Sequence, residues 1–348
     1  MSRLSMTAAL LLAGAGAARG QSLDRSKRPV PPPPVPFVSP KVDTFTLANG
    51  LRLAIVEDHA LPVVAVRVVL PVDSAADPVG KEGLFDVTLG MLREGTVSTS
   101  ADQLAAAIAS LGSDVSATRF TTVTDNLPRS LELMADMLMH PSFPPDAVER
   151  RKAARATAVQ RGLQVPSTVA RRIFYGKLFG ATHSIARAVA PPEASVKSIG
   201  RDDVVGFYDK YFQPQNVTLV IAGDVRAADA LKLVTRALGA WKNRGERYVA
   251  TFDPPAPATP TTIYLYDRPG TPQSVVFAGQ FGPTRTTSDL YAIEALGPIL
   301  GSSSESRLLQ NLRNRHSYMY SGAPFAVVWR PALPANVLTR VVRRTRNT

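Results

Sequence analysis

The chain has 348 residues and a formal net charge of +12, and its length is enough for two domains that each bury a hydrophobic core. Hydrophobic residues make up 45% and charged residues 20%, which are the proportions of a folded protein and exclude a mostly disordered chain. The absence of cysteine excludes disulfides, a cysteine-ligated zinc or iron–sulfur centre and a cysteine nucleophile.

The excess positive charge is spread along the chain and is not gathered into a nucleic-acid-binding motif. Basic runs near Arg25, Arg150 and Arg340 have no helix-turn-helix, zinc finger or interleaved aromatic–basic strand beside them. We interpret them as solvated faces and expect no nucleic-acid partner. The histidines lie far apart in the sequence, so we interpret them as surface or capping residues and not as metal ligands: His59, His140, His183 and His316.

The first twenty residues have the pattern of a secretory signal peptide. Arg3 precedes the apolar run Ala8–Ala17, and Ala18 and Gly20 are the small residues that a cleavage site after Gly20 requires. The run is too short to span a bilayer, and no later segment is apolar enough to do so. We expect residues 1–20 to be removed and the protein to be exported to the periplasm without a transmembrane segment. The alternative is that the run is retained as an interfacial anchor.

Proline-rich segments divide the remaining sequence. Residues 21–41 form a linker of polyproline type, and a second proline-rich linker covers residues 248–260. Between them, residues 42–247 are predicted to form one domain. It begins with a hairpin at Phe45–Ile55 that turns at Asn49-Gly50. The other elements predicted for this domain are strands at Pro62–Leu70, Asp114–Thr124 and Asn216–Ile221, and helices at Glu82–Arg93, Ser100–Leu111, Leu131–Leu138, Pro145–Leu163, Pro166–Leu178, Asp202–Tyr211 and Ala227–Trp241.

The pattern restarts after the second linker, in residues 261–348. The predicted elements there are strands at Thr262–Tyr266 and Ser274–Gly279 and helices at Asp289–Leu300 and Ser306–Arg313, followed by an arginine-rich tail without periodicity. Strands followed by runs of helices favour an α+β fold over alternating βαβ units. The similar order of strand, acidic residue, proline and strand in the two parts predicts two related halves joined by the linker, each a layer of strands packed with helices.

Four motifs in order along the chain resemble the M16 peptidase family, which includes insulinase, pitrilysin and the mitochondrial processing peptidase. The segment Gly83–Thr96 (GLFDVTLGMLREGT) is similar to the zinc-helix pattern G-L-x-H-x-x-E-H-M-L-x-x-G-T. The segment Phe207–Val225 resembles the Y-x-P-x-N…G-D segment that ends the first domain of the family. The segments 267–273 and 301–320 resemble its second domain. The resemblance implies two related α/β-layer domains, each an antiparallel sheet packed with helices, with the second domain incomplete.

The resemblance places this chain's residues at the positions of a zinc site, but their chemistry is different. Two histidines four residues apart on a helix hold zinc, and the glutamate between them serves as general base. Asp86, Leu89 and Gly90 stand at those three positions, and Thr157 or its neighbour Ala158, neither of them acidic, stands at the position of the third ligand. Leucine and glycine carry no ligand atom, and no base remains. We therefore predict no catalytic residue, no metal ligand and no cofactor in this chain, and we expect the zinc to be in a partner subunit.

The second domain retains a pair that the family uses to contact peptide. By resemblance Arg313 and Tyr320, seven residues apart, are peptide-binding residues. A guanidinium binds a peptide carbonyl or carboxylate, and a phenol donates to an oxyanion. The alternative for this pair is a helix-end arginine and a strand tyrosine that only pack.

The resemblance therefore implies the zinc-less, peptide-binding subunit of a heterodimeric zinc protease, with a zinc-bearing sister subunit and an unfolded peptide as partners. One alternative is a structural scaffold of the same fold with no peptide role, and another is an active metalloendopeptidase that uses other ligands. Family members of this type continue well beyond the sequence that matches Tyr320, so we also expect that the chain is truncated or frameshifted after about residue 321.

Overall fold

The computed structural model describes residues 33, 36, 38–113, 115–251, 260–270, 273–283, 286–319, 326–330 and 333–344. The chain divides into a unit before Lys41 and a compact unit from Lys41 to Thr348, and the elements below belong to the second unit. The expected signal peptide (1–20) lies outside the described residues. No helix in the described ranges is long and apolar enough to cross a membrane.

A five-stranded mixed sheet organises residues 43–223. Its strands are β1 (Asp43–Thr46), β2 (Arg52–Glu57), β3 (Val63–Val69), β4 (Arg119–Val123) and β5 (Thr218–Gly223), in the spatial order β1-β2-β5-β3-β4. The predicted hairpin is confirmed by the antiparallel β1–β2 pair, with Gly50 in the turn at φ 86°. The β2–β5 pair is parallel, because a long helical crossover returns the chain to the same end of the sheet before β5 begins.

The helices of this part cover one face of the sheet. They are α1 (Leu84–Met91), α2 (Ala101–Ser110), α3 (Leu127–Met139), α4 (Pro145–Leu163), α5 (Pro166–Phe179), α6 (Ser184–Val189), α7 (Glu193–Lys197), α8 (Arg201–Tyr211) and α9 (Ala227–Leu238). The prediction from sequence located seven of these helices and missed the short helices α6 and α7. The predicted α+β fold, a sheet packed with helices, is confirmed, but this sheet is mixed and not antiparallel as predicted, because β2 and β5 run parallel.

Alternation along the strands gives the sheet one buried and one open face. In β3, Val64 and Val66 are buried whereas Ala65, Arg67 and Val69 are exposed. The same period of two continues in β4, which therefore presents every second side chain to the open face. Burial of each such valine, leucine or isoleucine contributes about 1.5–3 kcal/mol. The open face of the sheet is left without a covering helix in the described part of the chain.

Polar contacts fix α9 to the hairpin at both of its ends. The Asn49 side-chain amide donates to the carbonyl of Leu238, the last residue of α9 (2.9 Å), and to that of Trp241 just beyond it (3.1 Å). At the other end, the Glu57 carboxylate accepts from the Ala227 N–H at 2.7 Å. These contacts satisfy backbone groups that a helix end leaves unpaired, so the hairpin turn and α9 hold each other in place.

The remaining residues form a second, smaller sheet in the order β6-β8-β7, with β6 at Gln273–Phe281, β7 at Ala326–Arg330 and β8 at Leu333–Arg344. Its helices are α10 (Leu290–Gly297) and α11 (Arg307–Leu309), which continue as wider turns over Pro298–Ser302 and Gln310–Arg315. Helix α5 packs on β6 through Phe179 and Phe281, whose ring centroids are 5.1 Å apart.

Two predicted strands and the prediction for the C-terminal tail need correction. Residues 262–266 lie outside helix and strand, and Ile263 and Leu265 are exposed (82% and 94%), because no neighbouring strand in the described ranges accepts their backbone groups. The strand expected from Asp114 begins only at Arg119, because the Ser116 N–H and hydroxyl both bond to the Arg119 carbonyl in a tight turn. The arginine-rich tail, expected to lack periodicity, pairs as β7 and β8.

Candidate functional site

Helix α1 carries the positions that resemble a zinc site, and it is anchored in the core. Leu84, Val87 and Met91 are buried, and the helix packs against α4 and α8. Its first turn is held by the buried carboxylate of Asp77, which accepts from the N–H groups of Gly83 and Phe85, both at 2.7 Å. A carboxylate at the start of a helix satisfies unpaired donors and complements the helix dipole, so α1 starts at a fixed point.

A buried ion pair supports the same helix end. Arg187 donates to the Glu82 carboxylate at 2.7 Å and to the Asp77 carbonyl at 3.3 Å. Burial acts to raise the pKa of Glu82, but hydrogen bonds from neighbouring groups, the Arg187 guanidinium among them, outweigh it and lower that pKa to about 2. Burial raises the pKa of Asp77 to about 7, in spite of its two N–H donors.

The positions that resemble the two zinc-binding histidines are covered by arginines of α4. The Asp86 carboxylate pairs with the Arg155 guanidinium at 2.5 Å. A Cβ added at Gly90 would lie 3.5 Å from the Arg151 Cδ and 3.8 Å from its Cζ, so the Arg151 side chain lies directly over the glycine. Leu89 is partly buried against the core. The side chains on this face of α1 therefore meet guanidinium groups.

Glu94, just beyond α1, completes this arrangement. Its carboxylate receives Arg151 through Nε at 2.7 Å and Nη2 at 2.6 Å, and Arg150 through Nη2 at 3.0 Å. The Glu94 side chain is only 15% exposed, so these charge-assisted contacts are partly shielded from water. Three arginines of α4 thus fasten α4 to α1 through the two carboxylates of Asp86 and Glu94.

These residues do not fit a zinc ion. Zinc needs three or four nitrogen, sulfur or oxygen ligands, whereas Asp86 is paired with a cation and Leu89 and Gly90 offer no ligand atom. The Thr157 hydroxyl on α4 donates to the Ala153 carbonyl at 2.9 Å in its own helix. Within the described residues, no group of three or more histidine, aspartate or glutamate side chains could hold a metal.

Each histidine forms a hydrogen bond or a ring contact with a nearby side chain or backbone group, and none of these contacts joins one histidine to another. His140 and His183 sit at helix ends, where His140 pairs with Asp136 at 3.1 Å and buried His183 accepts from the Ile185 N–H. The His316 ring stacks on Tyr318. His59 bonds to Asp224 at 2.7 Å on the wall of a shallow cleft of about 490 Å³, and the pKa of this exposed imidazole is raised chiefly by that carboxylate.

Of the predicted peptide-binding pair, the structure describes Arg313 and does not describe Tyr320. Arg313 is exposed in the turns that follow α11. Tyr320 lies outside the described residues, so the pairing of Arg313 and Tyr320 stays a prediction. Arg150, Arg151 and Arg155, which the sequence indicates as part of a solvated face, instead contact carboxylates on and just beyond α1. The i,i+4 spacing of Arg151 and Arg155 on a predicted helix is the signal that indicates a shared face.

Comparison with known proteins agrees with this architecture. Residues 52–172 match the family model for insulinase (peptidase family M16), and residues 198–328 match that for the peptidase M16 inactive domain. An uncharacterized zinc protease, YmxG, of Bacillus subtilis is 21% identical over 290 residues, which is 80% of this chain and 69% of that protein. Other curated relatives are covered over 67% and 62% of their length.

Solved structures show the same fold. The peptidase M16 inactive domain from Pseudomonas fluorescens superposes with a TM-score of 0.75 at 22% identity, covering 87% of this chain and 74% of that one. A protease from Helicobacter pylori gives a TM-score of 0.78 at 20% identity, covering 89% and 76%. The fold is thus that of the M16 peptidases. The chain belongs to the M16 family, and it is a peptidase homologue with a domain of the inactive type.

Proposed function

We propose that this chain is a non-catalytic M16 homologue that holds an unfolded peptide as the accessory subunit of a zinc-bearing sister chain. The observation that supports this most directly is the Asp86–Arg155 ion pair, which places a guanidinium where the family motif requires a ligand. A metallopeptidase needs zinc to polarise the scissile carbonyl and a general base to activate water, and neither has a residue here. In this proposal, hydrolysis takes place in the partner.

The chain's own contribution would be to bind and orient the peptide. The open face of the five-stranded sheet offers a broad surface, and the exposed Arg313 carries a guanidinium, a group that binds peptide carbonyls and carboxylates. The N-terminal sequence supports export to the periplasm, where such a subunit would meet unfolded substrates.

Zinc binding tests the first half of the proposal. The purified full-length chain, dialysed against buffered zinc, is expected to retain far less than one zinc per chain, because Leu89 and Gly90 supply no ligand. The metal content is measured by elemental mass spectrometry, and Asp86→Ala should not change it. Stoichiometric zinc that is lost in Asp86→Ala would instead support the active metallopeptidase.

Identification of a partner subunit tests the second half of the proposal, the role as a peptide-binding accessory subunit. A pull-down of the tagged chain from its native compartment is expected to recover a sister chain with an intact H-x-x-E-H motif. In the reconstituted pair, Arg313→Ala and Tyr320→Phe are expected to slow peptide cleavage by about tenfold each, as loss of one charge-assisted or oxyanion contact does. Arg315→Ala, a neighbouring exposed arginine, is the control. Unchanged rates in both variants would favour the scaffold alternative.

A further inference from the structure

The segment from Arg150 to Pro192 contains nine arginines and lysines and no aspartate or glutamate. It covers most of α4, all of α5 and α6, and the turns between them. Accumulated like charge destabilises a compact fold, so the carboxylates that balance these cations must come from other parts of the chain or from a ligand.

The first part of the segment finds such carboxylates, and so does Arg187 near its end, which pairs with Glu82. On α4, Arg150, Arg151, Lys152 and Arg155 each pair with a carboxylate from α1, from the following loop or from the start of α4 itself. Beyond them, Arg161, Arg171 and Arg172 are exposed and form no ion pair with any residue that the structure describes. The unbalanced charge therefore begins at the end of α4.

Arg161 in the last turn of α4 and Arg171 and Arg172 on α5 flank the short turn that joins the two helices. Gly162 lies so close to Thr168 that an added Cβ would be 3.4 Å from the threonine methyl, which brings the first turn of α5 against the last turn of α4. Arg268, from the second part of the chain, donates to the carbonyls of Leu163 (3.4 Å) and Gln164 (3.0 Å) at the same place. Arg161, Arg171, Arg172 and Arg268 are called the junction arginines below.

An open polypeptide segment lies beside this charge. Lys177 of α5 sits over the Tyr264 ring at 4.8 Å, which connects the junction to residues 262–266. In that segment Ile263, Leu265 and Tyr266 are exposed, and the backbone of residues 263–266 makes no hydrogen bond to another described backbone group. Unpaired backbone groups beside apolar side chains can pair with an added extended chain.

We propose that the junction arginines recognise carboxylates of an acidic peptide, whose extended backbone lies along residues 262–266. Guanidinium groups bind carboxylates through paired N–H donors, so glutamate and aspartate side chains are their natural ligands. A nucleic acid or a lipid headgroup supplies phosphates but cannot use the unpaired backbone, which favours a peptide. This inference rests on the proposed peptide-binding function and adds the substrate class to it.

Fluorescence anisotropy of the full-length chain tests the assignment. The probes are a labelled twelve-residue peptide with four glutamates, the same peptide with glutamines, a labelled single-stranded oligonucleotide and vesicles containing phosphatidylglycerol. The test variant is Arg161→Gln/Arg171→Gln/Arg172→Gln. The control variant, Arg129→Gln/Lys232→Gln/Arg236→Gln, changes the net charge equally on α3 and α9, where the cations are exposed and paired with Glu132 or Asp229.

The wild-type chain is expected to bind the acidic peptide about tenfold more tightly than the glutamine peptide, with affinity falling as salt rises. The junction variant should lose this preference, and the control variant should keep it. Equal losses in the two variants would show a general charge effect, and tighter binding of the oligonucleotide or the vesicles would show a different ligand; either result overturns the assignment. If both peptides bind equally and the junction variant binds as wild type, only the substrate class is wrong. If neither peptide binds, the proposed peptide-binding function fails with it.

Discussion

Arg187→Met is expected to lower the free energy of unfolding by about 3–5 kcal/mol at pH 7, as removal of one partner of a buried ion pair typically does. The Glu82 side chain is only 4% exposed and Arg187 17% exposed, so little water can replace the lost guanidinium. Asp77, which holds the first turn of α1, is buried beside them. The loss should therefore loosen α1 as well as lower the stability, measured by urea denaturation followed by circular dichroism.

The same variant has a predicted pH dependence. The pKa of Glu82 is about 2 in the folded protein against an ordinary value of 4.5. A lowered carboxyl pKa stabilises the fold fully above about pH 4.5, and the contribution disappears as the pH falls through 2. Without Arg187, burial is opposed only by the hydrogen bonds from Ser195 and from backbone N–H groups, so the pKa of Glu82 rises and this contribution becomes smaller. The difference between wild type and variant should shrink as the pH falls from 7 towards 3.

Arg236→Met is the matched control. Arg236 contacts Glu132 at the same distance of 2.7 Å, but the two side chains are 71% and 39% exposed. An exposed pair of this kind contributes at most about 1 kcal/mol, and salt weakens it further. If Arg187→Met costs no more than Arg236→Met, then the Glu82–Arg187 pair does not support α1 and the argument from burial fails.

Local sequence signals predicted much of the fold. Prolines at the first position of α4 and α5 and the Ser100/Gln103 capping box at α2 mark helix starts that the structure reproduces. The Asn49-Gly50 turn located the first hairpin. These signals depend on residues close together in the chain, and for that reason they can be read without knowing the tertiary structure.

What could not be predicted depends on partners distant in the chain. The β2–β5 pairing joins residues more than 160 positions apart, and no local pattern indicates it. The residues at the degenerate motif, Asp86 to Gly90, were identified from the sequence, but the arginines that cover them come from α4, more than 60 positions later. Residues 262–266 have the composition of a strand, and they remain unpaired because pairing is decided by a neighbour.

Gly223→Ala is expected to destabilise the protein by about 4 kcal/mol or more, which is at the severe end for a single substitution. Gly223 has a φ of 134°, which alanine rarely adopts, and an added Cβ would lie 2.1 Å from the Val63 carbonyl oxygen and 2.8 Å from the Val64 Cα. Both obstacles are backbone atoms at the start of β3, which pairs with β5, so no side chain can move aside. Thermal and urea unfolding measure the loss.

Gly206→Ala separates this clash from a general effect of replacing glycine. Gly206 lies inside α8, and an added Cβ there meets no atom within 4 Å. The substitution is expected to raise the stability by about 0.5–1 kcal/mol, because alanine loses less backbone freedom on entering a helix. The two variants should therefore shift the unfolding midpoint in opposite directions. A mild effect of Gly223→Ala would mean that β3 and β5 separate easily at Gly223. The adjacent Asp224, which joins His59 to Thr124, would then be held less firmly than its 2.7 and 3.0 Å contacts indicate.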